Sequence, residues 1–458
     1  MMRVTSLKIS ISGVRGIVGE SLTPQLLAFF AQAYGTYLGG GAIIVGQDSR
    51  TSGIMVKNAV LSGLLSVGCQ PVEVGICPIP SFQVFTKQAK ARGGIFVTAS
   101  HNPKEWNGLK FISQEGLFLN YHQTEEFLDI YHQGEFSLVE AEKYRIPKSK
   151  KNPTAPHLKK LLSYFKTGLI SKRKFKVAID CANGAGAVLA PQFLQNLGCE
   201  TISINCVPDG SFAHHPEPVP ENIAQLCQTV IENEANVGFA QDADADRLAV
   251  VNEKGEPLGE ESTLLLASKH VLSKNPGPVV INLSTSQAMD DITRSFNVPL
   301  IRTKIGEINV VEQILAQQGK TAIGGEGNGG VILPEIHPCR DSFTAMGLIL
   351  EYMASSGHTI SELQAEIPEY HLIKDKIIGT QEQAYYLIRQ LKRKYQNKGE
   401  ISLLDGLKIQ FEDHWFHIRP SNTEPIIRLI AEAKSHEKAK RIVSQLKNEI
   451  SGIIKKKS

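Results

Sequence analysis

Several features that would fix the setting of a protein are missing from these 458 residues. Cysteine is sparse: there are seven, an odd number, with no C-x-x-C pair and no zinc-site spacing. That argues against a disulfide-stapled secreted scaffold or a structural zinc centre and suits reduced thiols in cytosol. No stretch of about 18 apolar residues is present to span a bilayer, and the opening Met1-Met2-Arg3-Val4-Thr5-Ser6-Leu7-Lys8 lacks the uninterrupted apolar core of a signal peptide. An excess of charge is missing too. The net charge is +3, and the basic residues are dispersed apart from short runs such as Lys172-Arg173-Lys174, which read as solvated faces, so no nucleic-acid partner is indicated. There is no short-period repeat and no low-complexity tract. A soluble cytoplasmic protein is expected, with neither membrane nor nucleic acid as partner and with a monomer or homodimer as its state.

What is present is enough apolar sequence, 42%, to bury more than one core, and the length suggests about three or four domains. Short apolar strands followed by helical patterns recur along the chain, the signal of α/β units. Thr23 and Pro24 read as the N-cap and first residue of a helix. Ala42 to Val45 reads as a strand, Val56 to Val67 as a helix, and Gly94 to Thr98 as another strand. Lys148 to Pro156 reads as a polar linker. Phe175 to Asp180, Val237 to Gln241 and Pro278 to Leu283 are further strands, with a helix from about Thr285 and a short strand, Thr321 to Ile323, before a glycine-rich loop. From about Pro368 the pattern changes to a smaller α+β unit.

Three of these strands end in unusual polar loops, and in open α/β sheets ligands bind beyond the carboxyl ends of strands. The first loop is Thr98-Ala99-Ser100-His101-Asn102-Pro103. A serine hydroxyl at a strand-to-turn junction, beside a histidine and free backbone N–H groups, is suited to carrying phosphate. The second is Asp242-Ala243-Asp244-Ala245-Asp246-Arg247. Alternation in an extended segment puts three carboxylates on one side, where they repel unless a hard divalent cation sits among them, and few ligands suit Mg²⁺ better than Ca²⁺. Arg247 is placed either as partner of the outermost carboxylate or as a contact for substrate phosphate.

The third loop, Gly324-Gly325-Glu326-Gly327-Asn328-Gly329-Gly330, offers a carboxylate and an amide to vicinal hydroxyls and suits a sugar ring. It lacks the Gly-Lys-Ser/Thr of a Walker loop and the spacing of a dinucleotide fingerprint. Near the C-terminus, Arg419-Pro420-Ser421-Asn422-Thr423-Glu424-Pro425 with Arg428 collects donors and bidentate guanidiniums for phosphate capture.

These four ordered stretches resemble the α-D-phosphohexomutases, the phosphoglucomutases, phosphomannomutases and phosphoglucosamine mutases, over nearly the whole chain. The resemblance implies three similar α/β domains plus a smaller α+β C-terminal domain around a central cleft. On this chain they would span residues 1–150, 151–255, 256–368 and 369–458. It implies Ser100 as phosphoserine with His101 beside it, and Mg²⁺ on Asp242, Asp244, Asp246 and an oxygen of Ser100. Glu326 and Asn328 fall on the sugar loop, and Arg419, Ser421, Asn422, Thr423 and Arg428 on the phosphate loop. Arg15, in Ser12-Gly13-Val14-Arg15-Gly16, is similar to an arginine facing the active site, and Lys110 to a lysine assigned general acid or base work. The implied reaction moves a phosphoryl group between O6 and O1 of a hexose phosphate, with a hexose bisphosphate as intermediate and activator.

Departures from the family pattern are Gly330 and Glu307, where many and some members respectively have histidine, Ile79 for a usual threonine, and Asn422 for a frequent glycine. Asn328 stands where many bacterial glucosamine enzymes have serine. The Glu-Gly-Asn-Gly-Gly form followed by Pro334-Glu335-Ile336-His337 is similar to another group assigned to phosphoglucosamine mutase, which favours glucosamine phosphate over glucose or mannose phosphate. A phosphosugar-binding protein without turnover would have lost the nucleophile or a metal acid, and a phosphatase would more commonly use an aspartate nucleophile.

Overall fold

Strands that are apolar throughout need cover on both faces, and the first sheet is built that way. The computed structural model describes residues 6–420 and 426–455. The strand Gly93–Val97, buried at every position, lies within a seven-stranded sheet, parallel to Gly41–Gln47 and antiparallel to Trp106–Ser113. One apolar cluster, around Phe30, Tyr34, Val56 and Phe127, covers one face, and a second, around Phe82, Phe96 and Ile112, covers the other. The helix Pro24–Leu38 begins as predicted: Thr23 Oγ1 accepts from the Leu26 N–H at 3.3 Å, and Pro24 sits where no intrahelical donor is needed.

Two boundaries differ from the sequence reading. Lys148–Ser149, read as part of a linker, pairs in parallel with Val72 and Glu73 as an edge strand; two polar residues carry no hydrophobic period to reveal it. The helix expected from Thr285 starts at Ala288, because Thr285 first turns back to donate its hydroxyl to Asn282 Oδ1 at 3.0 Å.

A four-stranded sheet follows in the order Leu248–Val251, Val237–Gln241, Lys176–Asp180, Glu200–Ile204. A five-stranded sheet then runs Leu300–Thr303, Val279–Asn282, Ile323–Glu326, Gly330–Leu333, His337–Arg340. Each joins parallel strands to antiparallel ones at one edge. Their cores are continuous: Phe193, Phe239, Leu264, Ile281, Val331 and Phe343 belong to one apolar cluster. The helix Ser342–Ser356, buried over most of its length, is their shared wall and packs on the helix Glu260–Lys274 and on strands of both sheets.

The last sheet is antiparallel throughout, in the order His371–Ile378, Ile426–Ala433, His414–Pro420, Leu407–Gln410, Glu400–Ser402. Its strands alternate. Phe416, Ile418, Leu429 and Ala431 pack with the helices Gln381–Tyr395 and His436–Lys455, whereas Trp415, His417 and Glu432 face the third unit. There His417 Nδ1 lies 2.9 Å from Ser284 Oγ, and Glu432 accepts from the Gln287 N–H at 2.8 Å. That period of two carries Arg419 and Arg428 to the same side. The architecture is three α/β domains plus a C-terminal domain with an antiparallel sheet. Among the described residues no helix is long and apolar enough to cross a membrane.

Candidate active site

The loop after Gly93–Val97 holds Ser100 at φ 51, a left-handed conformation that a serine adopts only when its surroundings enforce it. The enforcing group is Arg50. It is buried, and its guanidinium donates to four carbonyl oxygens: Nη2 to Ser100 and Asn102, both at 2.6 Å, and Nη1 to Pro103 at 2.6 Å and Trp106 at 2.9 Å. Asp48 orients it by accepting from Nε at 3.0 Å and also accepts from the Thr98 hydroxyl at 2.7 Å. The Ser100 N–H, expected to be open to an anion, is instead spent on Thr98 Oγ1 at 2.8 Å. Ser100 Oγ lies 3.2 Å from Asp242 Oδ2 and 3.3 Å from His101 Nδ1. Burial, with the positive charges of Arg247 and Arg15, holds the His101 imidazole well below its usual pKa, so it is neutral at pH 7.

The acidic segment is not extended. Ala245 takes φ 61 and the chain turns, with the N–H groups of Asp246 and Arg247 donating to Asp242 Oδ1 at 3.1 and 3.2 Å. The turn, rather than strand alternation, brings the three carboxylates together. All are buried, and an oxygen from each lies within 4.8 Å of the others. Burial and repulsion from Asp246 and Asp244 push the Asp242 carboxyl well above its ordinary range. Burial also pushes Asp244 up, but the Lys110 ammonium, 2.7 Å away, outweighs it and holds Asp244 low. Lys110 is also 3.6 Å from Asp246. Asp244 Oδ1 and Asp246 Oδ1 have no hydrogen-bond partner. Buried, unpartnered carboxylate oxygens in a hard-donor cluster are what a small divalent cation would satisfy, so this donor set fits Mg²⁺.

The glycine-rich segment is a hairpin rather than a loop: Ile323–Glu326 and Gly330–Leu333 pair with Glu326 opposite Gly330. Gly329 has φ 84, and a Cβ there would sit 2.4 Å from the Leu248 carbonyl, so glycine is needed twice over. Glu326 is anchored inward, accepting from Asn282 Nδ2 at 2.9 Å, the Gly306 N–H at 3.0 Å and Arg340 Nη1 at 2.9 Å. Asn328 keeps an unpartnered Oδ1. In the last domain, Arg419 Nη1 donates to Asp405 at 3.0 Å, and Arg428 lies opposite Arg419 on the neighbouring strand. Ser421, Asn422 and Thr423 lie outside the described residues.

A cleft of about 700 Å³ brings Arg15, His101, Arg247, Asn328, Arg419 and Arg428 together. Arg247 makes only loose pairs, 3.9 Å from both Asp246 and Glu217. Lys110 does not line the cleft; it faces the acids, ion-paired.

Four family models, described as phosphoglucomutase/phosphomannomutase alpha/beta/alpha domains I, II and III and C-terminal domain, match residues 7–138, 155–255, 259–370 and 379–449 in that order. The chain belongs to the α-D-phosphohexomutase family. Similar curated proteins include a probable phosphoglucosamine mutase of Methanopyrus kandleri, 34% identical over 97% of both chains. A phosphoglucomutase/phosphomannomutase of Thermococcus kodakarensis is 38% identical over 93% of this chain and 95% of its own. Among solved structures, a phosphoglucomutase/phosphomannomutase family protein of Burkholderia thailandensis shares the fold with a TM-score of 0.84 at 24% identity, over 97% of this chain and 98% of that one.

Side chains that sequence reasoning missed in this phosphohexomutase are Arg50, Arg340 and the cleft-lining pair Lys374 and Lys376. The lysines had a readable signal, since basic residues two apart in a strand share a face. The arginines had none, because apart from Asp48, two residues before Arg50, their partners lie 14 to 94 residues away.

Proposed function

We propose that this phosphohexomutase converts glucosamine 6-phosphate to glucosamine 1-phosphate through phosphoserine 100 and a sugar bisphosphate. The observation that carries the reaction is Ser100 Oγ, buried 3.2 Å from Asp242 directly beneath His101, Asn102 and Pro103, which line a cleft together with Asn328 and the arginines of the last domain. A cation held by Asp242, Asp244, Asp246 and a Ser100-borne oxygen, Mg²⁺ by family resemblance, would supply Lewis-acid stabilisation of the phosphoryl group.

In the first step a sugar hydroxyl oxygen bonds to phosphorus as the Ser100 Oγ–P bond breaks, and the hydroxyl proton passes to His101. Phosphate on Ser100 offsets the neighbouring guanidiniums and raises His101 toward a useful basicity. After the bisphosphate turns over, Ser100 Oγ attacks the other phosphorus and the proton returns to the departing sugar oxygen. Arg419 and Arg428 hold the phosphate that is not reacting, and Arg15 and Arg247 face the one that is. Lys110 balances the charge of the acids; a proton-transfer role would require its pair with Asp244 to open.

Support for an amino sugar comes from the acids of the cleft. Glu217, Glu260 and Glu261 line the cleft, and Glu261 lies so close to Gly327 that a Cβ there would be 2.0 Å from its Oε1. Burial pushes the Glu261 carboxyl up to about 8, so an ammonium group on the substrate would favour its ionised form. The second reading, a phosphoglucomutase/phosphomannomutase, is favoured by the 38% identical relative of that name.

Parallel assays on glucosamine 6-phosphate, glucose 1-phosphate and mannose 1-phosphate, with Mg²⁺ and the matching bisphosphate, separate the two. A lead in kcat/KM for the amino sugar that shrinks about tenfold or more in Glu261→Gln supports the first reading. A lead for a neutral sugar establishes the second.

A further inference from the structure

Arg340 ends the strand His337–Arg340, and its side chain is nearly buried. Its guanidinium meets three carboxylates at once: Nη2 is 2.5 Å from Asp246 Oδ2, Nη1 2.9 Å from Glu326 Oε2, and Nε 3.0 Å from Glu307 Oε2. The Arg340 N–H also donates to Glu307 Oε1 at 3.2 Å, so Glu307 grips both the backbone and the head of the same residue. Asp246 belongs to the acid triad and Glu326 to the sugar hairpin. Arg340 is therefore a direct bridge between two parts of the site that lie on different sheets.

The bridge depends on Gly330. A Cβ at that position would lie 2.3 Å from Arg340 Cδ and 3.0 Å from Cγ, and the Gly330 backbone is not in the left-handed region, so the requirement for glycine is steric. Gly330 and Glu307 are thus the residues that make room for Arg340 and orient it.

We propose that Arg340 is a positioning residue that couples cation binding at the acid triad to sugar recognition at the hairpin. It occupies Asp246 Oδ2 and leaves the unpartnered Oδ1 to a cation. It also takes Glu326 Oε2 while Asn282 and Gly306 take Oε1, which fixes the plane of that carboxylate. The inference rests on the proposed cation and sugar sites and adds that the two are not independent.

The test variant is Arg340→Met with Glu307→Gln, which removes the buried cation together with one of its compensating charges. Two quantities are read: the dissociation constant for Mn²⁺ by calorimetry without sugar, and KM for the sugar phosphate. They should move in opposite senses. Mn²⁺ should bind about tenfold tighter, because a positive charge beside a ligating carboxylate no longer opposes it. KM should rise about tenfold as Glu326 loses its orientation.

Gly330→Ala provides a second approach that keeps every charge and displaces the guanidinium by bulk. It should raise KM by itself, and combined with Arg340→Met it should add almost nothing, since both changes break one bridge. Unchanged Mn²⁺ affinity and KM in the folded charge variant, or full additivity in the cycle, would overturn the coupling. If Asp246→Asn leaves Mn²⁺ affinity unaltered, the cation site itself is misplaced, and the inference falls for that separate reason.

Discussion

Replacing Arg50 by lysine keeps the charge and removes the fork, and the consequence can be worked from five contacts. The guanidinium serves the carbonyl oxygens of Ser100, Asn102, Pro103 and Trp106 and the carboxylate of Asp48. An ammonium reaches about two of these at once, so about three charge-assisted bonds are lost; allowing for relaxation and water entry, the native loop loses roughly 3–4 kcal/mol. Ser100 at φ 51 stores about 1–3 kcal/mol of backbone strain, which the loosened loop can release by moving away from Asp242. At about 1.4 kcal/mol per factor of ten, kcat should fall at least a hundredfold. The assay is steady-state turnover with Mg²⁺ and saturating sugar phosphate and bisphosphate, alongside circular dichroism to show an intact fold. Asp48→Asn should reproduce part of the loss without adding to it. A folded Arg50→Lys enzyme with kcat within about twofold of wild type would refute the claim that this clamp sets the serine.

Asp242→Asn should stabilise the protein in the presence of a chelator, by about 1–2 kcal/mol, because it relieves a carboxyl raised by burial and by two like charges. The same variant should lose the stabilisation by Mg²⁺ expected of the wild type, about 2.7 kcal/mol at a hundredfold excess over Kd. Melting curves with and without Mg²⁺ check both. Glu351 gives a pH prediction. Burial raises its carboxyl, but His270 at 3.1 Å and Lys274 at 2.6 Å outweigh burial and hold it at about 2. A folded value below the unfolded one means that the stabilisation is complete above about pH 5 and is lost as pH falls toward 2. From 4.5 to about 2 this amounts to roughly 3 kcal/mol. Glu351→Gln should therefore cost stability at pH 7 and progressively less below pH 4; an equal loss in urea titrations at pH 7 and pH 3 would contradict the assignment.

The fold class and the first two polar loops were legible because the strands that deliver them are plain apolar runs, Ile95-Phe96-Val97 and Val237-Gly238-Phe239-Ala240. What the loops do internally was less so. Alternating aspartates read as an extended edge, yet Ala245 in the left-handed region converts them into a turn, a choice made by tertiary contacts and not by alanine's own preference. The glycine run read as a loop, yet Glu326 and Gly330 form a ladder pair that encloses only three residues. Arg340 had no role legible in the sequence, since no local pattern marks an arginine whose acids sit at positions 246, 307 and 326.

The apolar cluster shared by the second and third domains makes a single stiff block of what the family models divide at residues 255 and 259. A chain severed there would leave the C-terminal piece with the helix Ser342–Ser356 uncovered on one side and the N-terminal piece with the apolar surface that the helix had covered, so neither should persist alone in water. The three aspartates and the sugar hairpin ride on that block with no hinge between them, and any opening or closing of the cleft must be made by the outer two domains. Catalytic alignment and access are thereby assigned to different parts of the chain, and a substitution that loosens one need not disturb the other.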